Sequence, residues 1–226
     1  MRFLKVLLPI VVLSCNPFIC YADLKDSNNE MSSQNDNRNN DLESAKSFIE
    51  DTGNKVIRIL VNKSSSLSER QEQFRQVIQE KFDMRSIGQF VLGRYWRQAT
   101  PDQKLEYLKL FEDSIVESYS HQFDNYTNEQ LKVTNARPSN KGGVIITSKI
   151  IRASGAPLQV DWKVFQTKDS LRILDVIVNG VSMSITYRTE YANAYNANGA
   201  SMEGLLKALR AKKITNSIPE TSDAST

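Results

Sequence analysis

The chain has 226 residues, 29 of them basic and 26 acidic, for a formal net charge of +3. That length suits one generous domain or at most two small ones. A mean hydropathy of −0.43 excludes a bundle of membrane spans, while 40% hydrophobic residues are enough to build an ordinary soluble core.

Residues 1–22 read as a signal peptide. Arg2 and Lys5 make a positive start, residues 6–13 an apolar core, and Cys20-Tyr21-Ala22 a cleavage site. The apolar run is far short of the roughly 20 residues that a spanning helix needs. A second reading stays open, because Val12-Leu13-Ser14-Cys15 resembles a bacterial lipobox. In that case Cys15 carries a lipid anchor. Cutting after Ala22 removes both cysteines, Cys15 and Cys20, so no disulfide or thiol chemistry is expected afterwards. It also leaves 27 basic residues against 26 acidic ones, a net of +1. The pI of 8.8 therefore overstates how basic the exported chain is, and nucleic acid is not an expected partner.

Residues 23–40 are Asn, Ser, Asp and Gln with hardly an apolar side chain, which predicts a flexible polar leader. Asn40, three residues before Glu43, can cap a first helix carrying Leu42, Ala45, Phe48, Ile49, Val56, Ile57 and Leu60 inward. Gly53 is expected to bend or split it. A second helix is predicted from Ser68, with Gln71 at the capping-box position and Phe74, Val77, Ile78 and Phe82 inward. Asp83 then opens a short helix bearing Ile87, Phe90 and Val91, which Gly93 ends.

After Phe90-Val91-Leu92-Gly93-Arg94-Tyr95-Trp96-Arg97, the run Thr100-Pro101-Asp102-Gln103 has the signature of a helix start. The helix it opens runs to about residue 123, with Leu105, Leu108, Phe111, Ile115 and Tyr119 on one face. Tyr107, Leu110 and Val116 widen that face beyond what one neighbour requires.

Past residue 126 the hydrophobic period drops from about 3.6 to 2. Strands are predicted over 131–137, 144–152, 158–165 and 171–178, joined by turns too short for parallel crossovers. A helix over about 183–196 and a last one capped by Ser201, carrying Met202, Leu205, Leu206 and Leu209, complete the chain. Helices, then strands, then helices make an α+β fold, with an antiparallel meander of about four strands wrapped by N- and C-terminal helices. The single domain is placed at residues 41–213, and 214–226 is expected to be a disordered tail.

No catalytic residue is identified. His121 is the sole histidine and no Gly-x-Ser-x-Gly turn presents a serine. The acidic pairs Glu112 with Asp113 and Asp161 with Asp175 read as solvated charges rather than acid pairs. Without further histidines or EF-hand spacing no metal site is expected, and without a Walker-type lysine after its glycines no phosphate loop is expected either. No cofactor is implied.

The segments 90–96 and 99–103, Asn179-Gly180-Val181-Ser182-Met183, and Gly204-Leu205-Leu206-Lys207-Ala208-Leu209 together resemble the MlaC family. Each motif is soft alone, but their joint order over roughly 42–213 is specific. The resemblance implies a periplasmic protein whose helices and sheet enclose an apolar cavity for phospholipid acyl chains. It also implies transient contact with an outer-membrane Mla lipoprotein complex and an inner-membrane Mla ABC transporter, so that the protein ferries lipid and maintains outer-membrane asymmetry. A monomer is the expected state.

Such a role is physically coherent, since about 0.8 kcal/mol per methylene makes a 16-carbon chain on the order of 12 kcal/mol to expose to water. The residues expected to line the cavity are Val144, Ile146, Ile150, Leu158, Val160, Trp162 and Val164, opposed to Leu108, Phe111 and Ile115, with Tyr95, Trp96, Val176 and Met183 beside them. Ordinary core packing is the competing reading for each. Tyr95 and Trp96 are also placed to pin the corner between two helices. Arg94, Arg97 and Arg188 are candidates for head-group contact. Three further readings stay open: an NTF2-like α+β enzyme using an acid and His121, a binder of another hydrophobic ligand such as a hopanoid, and a scaffold without lipid.

Overall fold

The computed structural model describes residues 23–120, 129–152 and 155–211, with side chains from residue 39 onward. The segment 1–22 read as a signal peptide, with Cys15, as well as His121 and residues 214–226, lies outside the described residues. The chain divides into a unit of Met1–Asn40 and a unit of Asp41–Thr226. In the first, residues 23–40 are helical backbone. No glycine or proline interrupts 23–52, so although the segment is polar, nothing in it breaks a helix. Helix α1 accordingly spans Asp23–Val61, and Asn40, expected as its cap, lies inside it.

The second unit takes its elements in the predicted order: α2 (Leu67–Lys81), α3 (Met84–Leu92), a 3-10 turn (Gly93–Arg97), α4 (Pro101–Ser120), β1 (Gln130–Pro138), β2 (Val144–Ile151), β3 (Leu158–Gln166), β4 (Leu171–Val178), β5 (Val181–Ser182), α5 (Met183–Ala197) and α6 (Met202–Arg210). Three cap readings hold. The Asp83 side chain accepts from the Ser86 N–H at 3.0 Å, and Ser201 accepts from Gly204 N–H at 3.1 Å. Thr100 and Gln103 bond reciprocally at 3.0 and 3.2 Å ahead of α4. The cap of α2 is Ser66 rather than Ser68. Ser66 Oγ accepts from Glu69 N–H at 3.2 Å while Glu69 Oε2 accepts from Ser66 N–H at 2.8 Å. Both serines have a Glu or Gln three residues on, and the charged glutamate makes the stronger reciprocal bond.

The sheet is an antiparallel meander in the order β1-β2-β3-β4-β5. The two-residue β5, absent from the sequence reading, closes a hairpin on the Asn179-Gly180 turn, both residues at positive φ. Register places Val144, Ile146, Ser148 and Ile150 of β2 across from Val164, Trp162, Val160 and Leu158 of β3. The alternation read from the sequence is therefore the real inward face. Irregular pairing between Lys163 and Val164 then brings Val176 beside Trp162 and Ile173 beside Val164.

Three apolar clusters hold the unit together. Ala45 and Ile49 of α1 cover Ile146, Val164 and Ile173 on the sheet. Ile59 and Leu60 meet Phe74, Val77 and Ile78 of α2 and Val116 of α4. The largest cluster joins α3, α4, α5 and α6, and Val176 and Val178 of β4 pack against it. Phe82, between α2 and α3, touches all three. Its neighbour Asp83 donates its backbone N–H to Ile173 O at 3.0 Å, which ties the helices to the sheet.

Gly53 does not split α1. A Cβ there would lie 2.6 Å from Leu131 Cδ1, so the glycine lets α1 approach β1 closely. Phe90 and Leu105 also depart from expectation, being 44% and 73% exposed. The inner stripe of α4 is Tyr107, Phe111 and Ile115, and Leu105 lies about 200° around the helix from Tyr107. In α3 the inner residues are Ile87, Gly88, Val91 and Leu92, which turns Phe90 outward.

Candidate functional site

The strand-face residues form one apolar surface, but the structure divides it. Val144, Ile146, Val164, Trp162 and Val176 pack with the α1 cluster. Val160 is buried, and Ile150 and Leu158 are half-buried, yet these three belong to none of the clusters. The end of the sheet that carries Ile150, Leu158 and Val160 therefore lies outside the apolar clusters, although α1 reaches Leu131, the cross-strand partner of Ile150, at Gly53. Trp162 marks the division. Its indole N–H donates to Ser148 Oγ at 2.9 Å, and Ser148 Oγ–H donates to Val160 O at 3.1 Å. The polar atoms of this face are thus satisfied among themselves, leaving it hydrocarbon to any ligand.

The helical candidates are placed differently. Phe111 and Ile115 lie in the large helical cluster, where Phe111 stands edge-on to Tyr191 and Tyr187 at 5.6 and 6.0 Å. Leu108 packs on α3, where a Cβ on Gly88 would come 2.6 Å from Leu108 Cδ2. Tyr95 stacks on Tyr195 with ring centres 3.8 Å apart, and Trp96 meets Tyr107 edge-on at 6.4 Å. Trp96 thus packs the 3-10 turn on α4, and Tyr95 packs it on α5. Met183 is buried at the start of α5 in the same cluster. Asp175 fixes that start: its carboxylate accepts from Ser184 N–H at 3.1 Å and from Ser182 Oγ at 2.7 Å, with Lys163 at 3.2 Å.

The tyrosines of α5 are the functional-looking residues that the sequence reading passed over. Tyr187, Tyr191 and Tyr195, four residues apart, all face inward, and their spacing was the available signal. Burial raises the Tyr107 and Tyr187 phenols well above their ordinary value. Tyr107 donates to Gly88 O at 3.0 Å, and Tyr191 shares a 2.9 Å bond with Ser114. Tyr107 and Tyr187 therefore stay protonated at neutral pH.

Two surface clefts of about 430 and 440 Å³ open between α2, α3 and α4. One is bordered by Gln79, Phe82, Asp83, Met84, Glu112, Thr167 and Arg172. The other adds Arg75, Arg85, Leu105, Leu108, Lys109 and Asp113. Of the candidate lining residues only Leu108 borders either one. Arg94, Arg97 and Arg188 are exposed and border neither. Arg188 donates to Phe90 O at 3.0 Å and lies 4.9 Å over the Phe90 ring, while Arg94 donates to Tyr95 Oη at 2.9 Å. Among the described residues there is no cluster of His, Cys, Asp and Glu able to hold a metal ion, and no helix is long and apolar enough to cross a membrane.

Comparison with known proteins gives this geometry a family. The chain is 24% identical over 132 residues to the toluene tolerance protein ttg2D of Pseudomonas putida, covering 56% of this chain and 61% of that one. It is 28% identical over 100 residues to the intermembrane phospholipid transport system binding protein MlaC of Haemophilus influenzae, covering 42% and 47%. The chain thus spans about half the length of these curated relatives. The solved phospholipid-binding protein from Ralstonia solanacearum, described in complex with a phospholipid, superposes with a TM-score of 0.68 at 20% identity, over 76% of this chain and 98% of that one. That likeness is one of fold. The family described as MlaC protein matches residues 50–211, from the middle of α1 to the end of α6, and the chain belongs to it.

Proposed function

We propose that this protein is a periplasmic carrier which shelters phospholipid acyl chains between its sheet and its helices. It shuttles lipid between outer-membrane and inner-membrane Mla complexes and so maintains outer-membrane lipid asymmetry. It acts without catalysing a reaction and without a metal or organic cofactor, phospholipid being its cargo. The observation that carries this reading is membership of the MlaC family, together with a fold shared with a protein described as holding a phospholipid. The chains lie along the Ile150, Leu158, Val160 and Trp162 end of the strand face, where Ile150, Leu158 and Val160 are apolar and belong to none of the three clusters.

Native mass spectrometry of protein purified from a bacterial periplasm tests the cargo. A bound mass matching a phospholipid is expected, whereas a hopanoid mass would change the ligand class and a ligand-free protein would count against the carrier. Val160→Arg locates the site: it should strip the co-purified lipid from a folded protein. Equal lipid content in wild type and variant would remove Val160 from the lining.

A further inference from the structure

Phe90 and Leu105, which amphipathic spacing assigns to the core, lie at the surface together with Ile185, which is 55% exposed. They sit on three helices that pack side by side, with α3 between α4 and α5. The outward stripe of α3 is Arg85, Ser86, Gln89 and Phe90, all exposed, at the spacing of a single helix face. On the α4 side, Arg85 and Leu105 border the same cleft. On the α5 side, Arg188 lies over the Phe90 ring, one turn along from Ile185.

The unpaired charge on this face is mostly positive. Residues 84–100 contain Arg85, Arg94 and Arg97 and no acid, and residues 183–189 contain Arg188 and no acid. None of these arginines has a carboxylate partner among the described residues. Arg75 and Arg210, by contrast, are paired with Glu112 and Glu106 at 2.9 and 2.6 Å. Lys104 and Lys109 flank Leu105 on α4. Of the acids nearby on α4, Glu106 is held by Arg210, and Glu112 and Asp113, which border the cleft with Arg85 and Leu105, are both held by Arg75 at 2.9 and 2.8 Å, which leaves Asp102 at the first turn.

We propose that this α4-α3-α5 face docks on a lipid bilayer surface bearing anionic phosphate headgroups. The arginines bind phosphate oxygens, and Phe90, Leu105 and Ile185 enter the boundary between headgroups and acyl chains. Charge complementarity supports an anionic surface. The choice of a lipid surface rather than an acidic protein rests on the carrier reading.

The test is co-sedimentation of the full chain with vesicles at low salt. Binding to phosphatidylglycerol vesicles, absent from phosphatidylcholine vesicles and lost as salt rises, is expected. Arg85→Gln and Arg94→Gln should each weaken it about fivefold. Phe90→Ser should weaken it further, and Arg137→Gln, on exposed β1, should leave it unchanged. Arg85 and Phe90 are exposed, so circular dichroism should show both variants folded. Failure of wild type to bind anionic vesicles, or binding indifferent to these substitutions, would overturn docking on lipid. If the protein still yields bound phospholipid in the mass spectrum, the carrier reading survives that failure. Vesicle binding by a protein that carries no lipid is the reverse case.

Discussion

At Gly93 the backbone turns from α3 into the 3-10 segment with φ 57° and ψ −125°, a conformation that residues with a Cβ avoid. A Cβ there would also lie 2.9 Å from Arg188 Nη2, pushing the guanidinium off Phe90. Gly93→Ala should cost about 2 kcal/mol, or roughly 4–8 °C in thermal midpoint for a domain of this size. An unchanged midpoint would mean that the corner tolerates a side chain. The buried phenols make a prediction about pH. Their folded pKa values lie above the unfolded value, chiefly because burial disfavours the phenolate. Their stabilising contribution is therefore complete below about pH 10 and is lost as pH rises beyond it. Thermal midpoints between pH 8 and 12 should fall above pH 10, and Tyr107→Phe should flatten part of that fall. A parallel decline in wild type and variant would assign it elsewhere. Gly93 was legible as a stop signal and Tyr107 as part of a widened apolar face, but not that Tyr107 is fully buried while Leu105 faces out, because that depends on which neighbours α4 meets.

Most helix ends were legible because capping is local chemistry, and the misplaced cap of α2 shows its limit. Ser66 and Ser68 offer the same pattern two residues apart, and only the Ser66 to Glu69 bonds form. Ser66→Ala should cost about 1 kcal/mol and Ser68→Ala close to nothing; equal denaturation midpoints for the two variants would contradict the observed start of α2. The start of α6 makes a sharper case. A Cβ on Gly204 would sit 1.7 Å from the Asn198 carbonyl oxygen, so Gly204→Ala cannot be absorbed by a side-chain shift. It should displace α6 and expose Leu205 and Leu206, both fully buried. Loss of more than about 3 kcal/mol is expected, on the scale of losing the burial of two leucines. Strand faces were legible for a similar local reason: a period of two assigns every side chain once one is assigned. Leu105 and Phe90 failed because a helix has no such binary rule, and a wide apolar face leaves its true centre to be chosen by packing.

For the whole molecule, what the sequence could not convey is which part of the sheet face joins the helices in an apolar cluster, since that follows from where Ala45 and Ile49 of α1 meet the sheet and from Phe82 joining three clusters. This division separates two residues that look alike in the strand pattern. Ile146 is covered by Ala45 and Ile49, so Ile146→Ala should cost about 2–5 kcal/mol by leaving a cavity, whether or not lipid is bound. Val160 lies in the part that the carrier reading gives to acyl chains, and Val160→Ala should destabilise the lipid-loaded protein more than the stripped one. Bound lipid stabilises the folded state in proportion to the logarithm of its free concentration over its dissociation constant, so any weakening of lipid contact appears only in the loaded form. Denaturation of both variants, loaded and stripped, gives four free-energy changes and one coupling term. A coupling near zero for Ile146 and clearly positive for Val160 is the expected outcome. The reverse order would place the acyl chains beside Ala45 and Ile49 and move the site to the other half of the sheet.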